Sequence, residues 1–154
     1  MQKNINIVNK KAKFEFTLIE KYNAGIVLSG TEIKSIRAGK ALISESFCEF
    51  NSNGELFVIN MSIDKYKHGN YNNHESKNER KLLLKKQELR KLNKSVKNKG
   101  LTIIPLKLFI NEKGYAKLTI SLAKGKKLYD KRQTIKNREN KIEMDRINKI
   151  KNTR

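Results

Sequence analysis

The stretch from Leu101 to Leu122, LTIIPLKLFINEKGYAKLTISL, decides how this chain is expected to fold. Two runs rich in β-branched and aliphatic residues flank Asn111-Glu-Lys-Gly114, a segment of turn-forming composition. Large apolar residues alternate with polar ones in the second run, which is the period of a half-buried strand. The inward set is Leu118, Ile120 and Leu122, and the outward set is Lys117, Thr119 and Ser121. The stretch predicts an antiparallel hairpin, and Pro105 predicts an edge or a bulge in its first strand.

Upstream segments add further strand patterns. Phe14 to Leu18 alternates between apolar and polar residues, and Gly25 then introduces a second apolar run, Ile26 to Leu28. A second hairpin pattern joins residues 42–50 to residues 55–63 through Asn51-Ser-Asn-Gly54, which suits a tight turn. We therefore expect about six strands with mostly hairpin connections.

Two segments have helical patterns. A short helix is expected between Gly30 and Gly39, with Thr31 as its possible cap. A longer one is expected to end near Asn98, with Leu89, Leu92 and Val96 on one face. The polar stretch from Asp64 to Glu79 between them is typical of a long exposed loop. These elements predict a mainly β fold: a small antiparallel OB-like barrel of about six strands with two or three flanking helices and a basic C-terminal tail.

The composition changes after Ala123. The segment Ala123-Lys-Gly-Lys-Lys-Leu-Tyr-Asp-Lys-Arg132 ends the last strand pattern and begins a basic stretch with scattered aliphatic residues. We divide the chain into an N-terminal arm (1–12), an OB-like barrel (13–123) and a basic tail (124–154). The tail has no compact apolar stripe, so we expect it to be disordered in the free protein and ordered by a partner.

The charge of the chain indicates a polyanionic partner. Its 35 Lys and Arg residues against 15 Asp and Glu residues give a formal net charge of +20. Nucleic acid is the first candidate for neutralising such a surplus. A membrane surface is the second candidate, but the chain has no Trp and its tail lacks the bulky apolar face of a membrane-binding helix.

The sequence offers little for catalysis or metal binding. His68 and His74 lie in the polar loop without Cys or carboxylate residues at ligand spacing, and we interpret them as ordinary loop residues. Cys48 lies within a strand pattern and is expected to be a buried small hydrophobe. The glycines match neither a phosphate-binding loop nor a dinucleotide fingerprint. We expect no enzyme activity, no cofactor and no metal.

The single cysteine cannot form an intramolecular disulfide, and the N-terminal residues lack the apolar run of a signal peptide. No window reaches the roughly 18 apolar residues of a membrane-spanning helix. We expect a cytoplasmic protein that is monomeric when free.

The cluster Lys124-Gly-Lys-Lys127 allows two interpretations. A run of charge is often only a solvated turn, but this one lies at a strand end beside Tyr129 and Lys131-Arg132. Cations that neutralise phosphates next to a ring that can stack on a base are typical of RNA recognition. We favour RNA contact.

Several motifs in register resemble the small protein B family of tmRNA-binding proteins. They are Gly30-Thr-Glu-Ile-Lys-Ser-Ile-Arg-Ala-Gly-Lys40, Arg80-Lys-Leu-Leu-Leu84, Lys99-Gly-Leu-Thr102 with Pro105-Leu-Lys107, and Leu122-Ala-Lys-Gly-Lys-Lys127 followed by Asp130-Lys-Arg132. The resemblance runs from about Asn9 to about Glu139. It implies an oligonucleotide-binding barrel that escorts transfer-messenger RNA (tmRNA) to stalled bacterial ribosomes, where RNA and protein together stand in for a tRNA.

The resemblance also implies roles for particular residues. Asn9 with Lys10 and Lys11 matches the family's Asn-Lys-[Lys/Arg] motif, which leads into the first strand and contacts tmRNA. Leu83 matches a leucine that supports RNA binding. With the basic residues of the shared motifs, the RNA-binding candidates are Asn9, Lys10, Lys11, Glu32, Lys34, Arg37, Lys40, Arg80, Lys81, Leu83, Lys124, Lys126 and Lys127. The tail residues expected to act in the ribosome, near the decoding region, are Tyr129, Asp130, Lys131 and Arg132.

The chain departs from the family pattern at a few positions. Asn23 stands where many members have a Glu that belongs to the RNA site, and Phe14 stands where some have His. Glu75, Ser76 and Asn78 replace an Asp-Pro with additional arginines. RNA binding here is therefore expected to depend more on lysine. The alternative function is a general RNA chaperone or a ribosomal-protein-like structural RNA binder, which would have the same charge and the same barrel.

Overall fold

The computed structural model describes residues 4–69, 73–97 and 100–152, with side chains for all of them except 128–130 and 152. The strands are β1 (Asn6–Val8), β2 (Phe16–Ile26), β3 (Ala41–Leu42), β4 (Phe47–Phe50), β5 (Leu56–Ile59), β6 (Ser62–Ile63), β7 (Arg80–Leu83), β8 (Leu101–Ile110) and β9 (Ala116–Gly125). The helices are α1 (Ala12–Glu15), α2 (Gly30–Arg37), α3 (Lys86–Val96) and α4 (Leu128–Asn152). No helix in this part of the chain combines the length and the apolarity needed to cross a bilayer.

Six antiparallel strands close into a ring. The order is β8-β4-β5-β7-β2-β9, and β9 pairs again with β8. Strand β1 adds to the outside of this ring on β8, and β3 and β6 form a separate two-stranded sheet. Ring closure leaves each of the six strands with a neighbour on both sides, which explains how a short chain can bury a continuous core. The predicted barrel of about six strands is confirmed.

Strands β8 and β9 form a hairpin, as the sequence predicts, and β9 pairs with β8 over more residues than β1 or β4 does. Leu118 and Ile120 are fully buried and Leu122 is nearly so. The pairing register of β8 with β9 shifts between Pro105 and Lys107, which confirms the predicted irregularity at the proline. This bulge lies between the part of β8 that pairs with β4 and the part that pairs with β1.

Several local predictions are wrong. Phe14 lies in α1 rather than in a strand, and β2 continues through Gly25 as a single strand of 11 residues. Residues 42–50 do not form one strand, because β3 ends at Leu42 and β4 begins at Phe47. Ser121 does not face solvent: it is fully buried, and its hydroxyl lies within hydrogen-bond distance of two acceptors, the carbonyls of Glu20 and Leu122.

The cap of α2 is Ser29 rather than Thr31. The Ser29 hydroxyl accepts from the backbone N–H of Glu32, and the Glu32 carboxylate accepts from the backbone N–H of Ser29. This reciprocal pair satisfies two backbone donors at the start of the helix. Thr31 instead contacts His74, whose Nδ1 lies 2.9 Å from the Thr31 hydroxyl. The loop from Asp64 to Glu79 is therefore attached to α2 by a buried histidine rather than exposed along its whole length.

In the tail, β9 continues to Gly125 and α4 begins at Leu128. Residues 135–151 of this helix are all exposed, including the aliphatic side chains Ile135, Ile142, Met144, Ile147 and Ile150. Within the described part of the chain, none of these side chains is buried against the barrel. That this segment is disordered in the free protein stays a prediction.

Candidate nucleic-acid interface

An open cavity of about 440 Å³ lies at one end of the barrel, where α2, β2, β7 and the β8–β9 turn meet. Its lining includes the apolar side chains of Ile33 and Leu83 and the positively charged side chains of Arg37, Lys113 and Lys117. None of the described residues that line it has a carboxylate. A surface of this composition fits an anionic ligand that also has a flat apolar part. A nucleotide, with its phosphate and its base, is such a ligand.

Leu83 and Lys117 flank a glycine, Gly25, from the two neighbouring strands. Gly25 pairs with both residues across the sheet. A Cβ at Gly25 would lie 3.3 Å from the Leu83 Cβ and 3.7 Å from the Lys117 Nζ. Leu83 is 53% exposed although it lies in a barrel strand. The arrangement thus presents an apolar side chain and an ammonium group to solvent at the same place.

Tyr115 was not among the residues predicted from sequence. It follows the β8–β9 turn, lines the cavity and is 65% exposed. Its backbone N–H donates to the Asn111 Oδ1 at 2.8 Å, which fixes its position relative to the turn. The signal was present in the sequence, since an aromatic residue between Lys113 and Lys117 beside a turn alternates rings with cations.

Arg37 connects α2 to the same turn. Its guanidinium donates to the Gly114 carbonyl at 3.4 Å and remains exposed. The structure therefore brings together two of the predicted residues, Arg37 and Leu83, that are far apart in sequence. It adds to them Tyr115, Lys113 and Lys117.

A second group of predicted residues lies at the opposite end of the barrel. Lys124 pairs with Thr17 near one end of β9, whereas Lys117 pairs with Gly25 near the other. Seven steps of about 3.3 Å place these two lysine backbones roughly 23 Å apart. Lys10 and Lys127 are exposed in this region, and Lys11 forms an exposed ion pair with Glu45 at 3.1 Å.

Two members of this second group use their polar groups to bond other parts of the chain. The Nδ2 of Asn9 donates to the Pro105 carbonyl at 2.9 Å, and its backbone N–H donates to the Leu106 carbonyl at 2.8 Å. The Nζ of Lys126 donates to the Lys13 carbonyl at 2.9 Å. Both residues hold segments of the chain together in the structure.

Glu32 and Arg80 pair with each other in the interior. Glu32 is 6% exposed and Arg80 is 3% exposed, and the Arg80 Nε donates to the Glu32 carboxylate. The remaining Arg80 donors reach the carbonyls of Met61, Glu75 and Ser76. Burial alone would raise the pKa of Glu32, but the hydrogen bonds from Arg80 and Ser29 outweigh it and hold that pKa below its usual value. Their charges are neutralised within the protein, so these side chains are placed to support α2 and β7 rather than to touch RNA.

The remaining basic candidates lie on the outer surface. Lys34 lies with its Nζ 5.4 Å from the centre of the Tyr66 ring, and Lys40 is exposed after α2. Lys81 forms an ion pair with Glu55 at 2.6 Å. In the tail, Lys131 is half-buried and Arg132 is exposed, whereas the side chains of Tyr129 and Asp130 lie outside the described residues.

Two side chains that could have served catalysis, those of His74 and Cys48, are buried in the protein. The His74 Nε2 lies 3.0 Å from the Ile63 carbonyl, and the ring is buried. Burial raises the pKa of the Cys48 thiol far above its usual value, so the thiol stays protonated. Within residues 4–69, 73–97 and 100–152, no group of three or more His, Cys, Asp or Glu side chains is arranged to hold a metal.

Comparison with known proteins was made for the whole chain. Residues 6–150 match the family model described as "SmpB protein". The SsrA-binding protein of Christiangramia forsetii is 64% identical over 149 residues, which cover 97% of this chain and 94% of the relative. The SsrA-binding protein of Flavobacterium psychrophilum is also 64% identical over 149 residues, covering 97% of this chain and 99% of the relative.

A solved structure gives the same result for the fold. A chain of the structure described as "tmRNA-SmpB: a journey to the center of the bacterial ribosome" aligns with a TM-score of 0.68 and 47% identity. The alignment covers 80% of this chain and 86% of that one. With the family match extending from β1 almost to the end of α4, this chain belongs to the SmpB family.

Proposed function

We propose that this protein binds tmRNA and delivers it to stalled ribosomes for trans-translation. In this proposal the barrel binds the tRNA-like part of tmRNA and the C-terminal tail acts in the ribosome. The partners are tmRNA and ribosomal RNA of the decoding region, and the work is done in the cytoplasm. The names of its SsrA-binding relatives support this assignment.

The observation that carries the proposal is the cavity formed around Leu83, Arg37, Tyr115 and Lys117. Phosphate groups bind lysine and arginine, but a cation alone does not distinguish a folded RNA from any other polyanion. An exposed ring and an exposed leucine add a surface on which an unpaired base can lie. We assign RNA contact at this end to those four residues with Lys113.

The other predicted residues have different parts in the proposal. Lys10, Lys11, Lys34, Lys40, Lys81, Lys124 and Lys127 are exposed or half-exposed cations that add phosphate contacts. Asn9, Glu32 and Arg80 act by holding the RNA-binding surface in shape. We assign the tail's action to Tyr129, Asp130, Lys131 and Arg132.

RNA recovered with the protein from its own cells tests the proposal. We expect one stable RNA with a tRNA-like part to be enriched far above its abundance in total RNA. Leu83→Ala should reduce this enrichment, because it removes the exposed apolar part of the cavity without changing the charge. A broad mixture of RNAs, or intact ribosomal RNA, recovered equally by both proteins would contradict the proposal.

The broad mixture is the result expected of a general RNA chaperone or a structural RNA binder. That second candidate relies on the net charge of +20, which is spread over both the barrel and the tail. It does not require the cavity. Equal recovery of RNA by the wild type and by Leu83→Ala would therefore favour it.

A further inference from the structure

Lys126 lies two residues before α4 and connects the first turns of that helix to α1. The backbone N–H of Lys126 donates to the Glu15 carbonyl at 2.9 Å, and its Nζ donates to the Lys13 carbonyl at 2.9 Å. The same Nζ lies 3.1 Å from the Thr134 hydroxyl. Lys126 therefore contacts α1 and the second turn of α4 at once.

The acceptors on α1 are carbonyls that this short helix cannot satisfy itself. An α-helix leaves its last four carbonyls without an internal partner, and α1 has only four residues. Two of these carbonyls, those of Lys13 and Glu15, accept from Lys126. The acceptors are main-chain atoms of α1, which leads directly into β2, so their positions are tied to the barrel.

The attachment ends at Thr134. From residue 135 to residue 151 every described side chain of α4 is exposed. We propose that Lys126 is a positioning residue that fixes the direction in which the C-terminal helix leaves the barrel. The ordered body of the protein therefore extends to about Thr134 instead of ending at Ala123.

The direction of this helix matters because the helix is long. The 18 residues after Thr134 extend about 27 Å at 1.5 Å per residue, so a tilt of about 20° at the base displaces the far end by roughly 9 Å. A tail with a loose base would spread over a larger volume, and its effective concentration at any one site would fall. Lys126 would then influence the tail's action without contacting the tail's partner.

Lys127 provides a matched control. It is the next residue, carries the same charge and is exposed, and its side chain makes no hydrogen bond to another described residue. Lys126→Met and Lys127→Met each remove one positive charge from +20 and keep most of the aliphatic stem. Only the first removes the Nζ donor that contacts the Lys13 carbonyl and the Thr134 hydroxyl, and it leaves the backbone bond to Glu15 in place. Lys126→Arg keeps the charge and a group that can donate to both acceptors.

The structural test is backbone ¹⁵N relaxation on the full-length free protein. We expect residues 127–134 to be as rigid as β9 in the wild type and in Lys127→Met, and mobile in Lys126→Met. Lys126→Arg should restore most of the rigidity. Equal rigidity of residues 127–134 in all four proteins would overturn the inference, as would equal mobility in the two Met variants.

The functional test rests on the proposed function. Lys126→Met should bind tmRNA within about twofold of the wild type, because it removes one charge from +20 and its Nζ is bonded within the protein. It should nevertheless tag peptides at stalled ribosomes several-fold less well than the wild type, with recovery in Lys126→Arg. Tagging by Lys126→Met at the wild-type level would overturn the positioning role. A wild type that does not bind tmRNA would instead contradict the proposed function, and the relaxation result would still decide whether Lys126 holds the helix.

Discussion

The pair of Glu32 and Arg80 shows how a residue can belong to a functional motif and still be structural. Both lie in motifs rich in basic residues, where a charged side chain is readily interpreted as an RNA contact. In the fold Arg80 donates to one carboxylate and three carbonyls, all within the protein. The pair fastens the first turn of α2 to β7 and to the loop that follows β6, and so helps shape the cavity between them.

Removing Arg80 should destabilise the fold strongly. Arg80→Met leaves the buried Glu32 carboxylate without its cation, and breaking a buried pair in this way costs about 3 to 5 kcal/mol. Lys81→Met, the neighbouring change in the same strand, breaks a half-exposed pair and should cost about 1 kcal/mol or less. Urea unfolding of the two variants measures both values. Similar losses for both would mean that the buried pair contributes no more than a surface one.

The same pair predicts a dependence of stability on pH. The pKa of Glu32 is lower in the folded protein than its ordinary value of 4.5. Its contribution to the free energy of unfolding is therefore fully present above pH about 4.5 and is lost as the pH falls through the lower folded-state pKa. Urea unfolding between pH 7 and pH 3 should show this loss, and the double variant Glu32→Gln with Arg80→Met should lose less over the same range. An identical pH dependence would contradict the assignment to Glu32.

Tyr115 provides a test of the cavity that does not involve charge. If an unpaired base stacks on its ring, Tyr115→Ala should weaken tmRNA binding by about 1 to 3 kcal/mol, the usual contribution of one stacked base. Tyr115→Phe keeps the ring and should bind within about twofold of the wild type. Filter-binding titrations at one salt concentration measure both variants. Equal affinity for all three proteins would show that the ring does not contact the RNA.

At the scale of single residues, the sequence predicts whether some side chains are buried or exposed, but it does not predict which distant residues they contact. The exposure of Lys124 and Lys127 and the burial of Cys48 follow from composition and strand pattern. The pairing of Glu32 with Arg80 does not, because the two residues are 48 positions apart and meet only when the barrel closes. For the same reason nothing local indicated that Ser121 would be buried or that His74 would contact α2.

At the scale of elements, Gly25 illustrates why strand boundaries were misplaced. A glycine among strand residues usually predicts a break or a bulge. Here β2 continues through it, since Gly25 pairs with Leu83 on one side and Lys117 on the other. The glycine marks close packing rather than an end. The hairpins at Asn51–Gly54 and Asn111–Gly114 were predicted correctly because their turn residues act locally.

The start of α4 provides a test of whether the barrel and the tail have separate roles. Replacing Asp130, Lys131 and Arg132 together by Ala removes two cations and one anion, a net loss of one charge from +20. Long-range attraction to RNA is then nearly unchanged, and tmRNA affinity should stay within a few fold. Peptide tagging should fall sharply, because a local pattern of opposite charges is lost from the tail.

Leu83→Ala is the counterpart on the barrel. It should weaken tmRNA binding, and its tagging should recover when more tmRNA is supplied. Filter binding and a tagging assay on the two variants separate the roles. A tail variant that loses RNA binding as badly as Leu83→Ala would mean that the tail is simply additional RNA-binding surface.

At the scale of the whole molecule, the large positive charge predicts strong dependence on salt. With about five phosphate contacts, the slope of log affinity against log salt concentration should be on the order of −3 to −5. Titrations at four salt concentrations measure it. Leu83→Ala should shift the line downward without changing its slope, because it removes no charge. A slope near zero would mean that phosphate contacts contribute little to binding, which would contradict the role assigned to the net charge.

The fold class, an antiparallel barrel, could be predicted from the sequence, since hairpin connections without βαβ units leave few alternatives. The order of its strands could not. Strand β8 pairs with β1, β4 and β9, and that arrangement depends on the register shift at Pro105 and Lys107. A single proline indicates that an irregularity exists but not which strands it separates.

The placement of the cavity and of α4 at opposite ends of β9 gives the barrel the role of a rigid spacer. A closed sheet resists bending and stretching, so the separation of these two sites is set by the number of residues in the strand and not by solution conditions. If RNA binds at the cavity end, as proposed, the RNA and the helix that leaves the other end can reach two places on a large assembly at a constant distance. The length of β9 therefore sets the distance between the cavity and the start of α4. Inserting or deleting residues in β9 would change that distance even if every contact residue were kept.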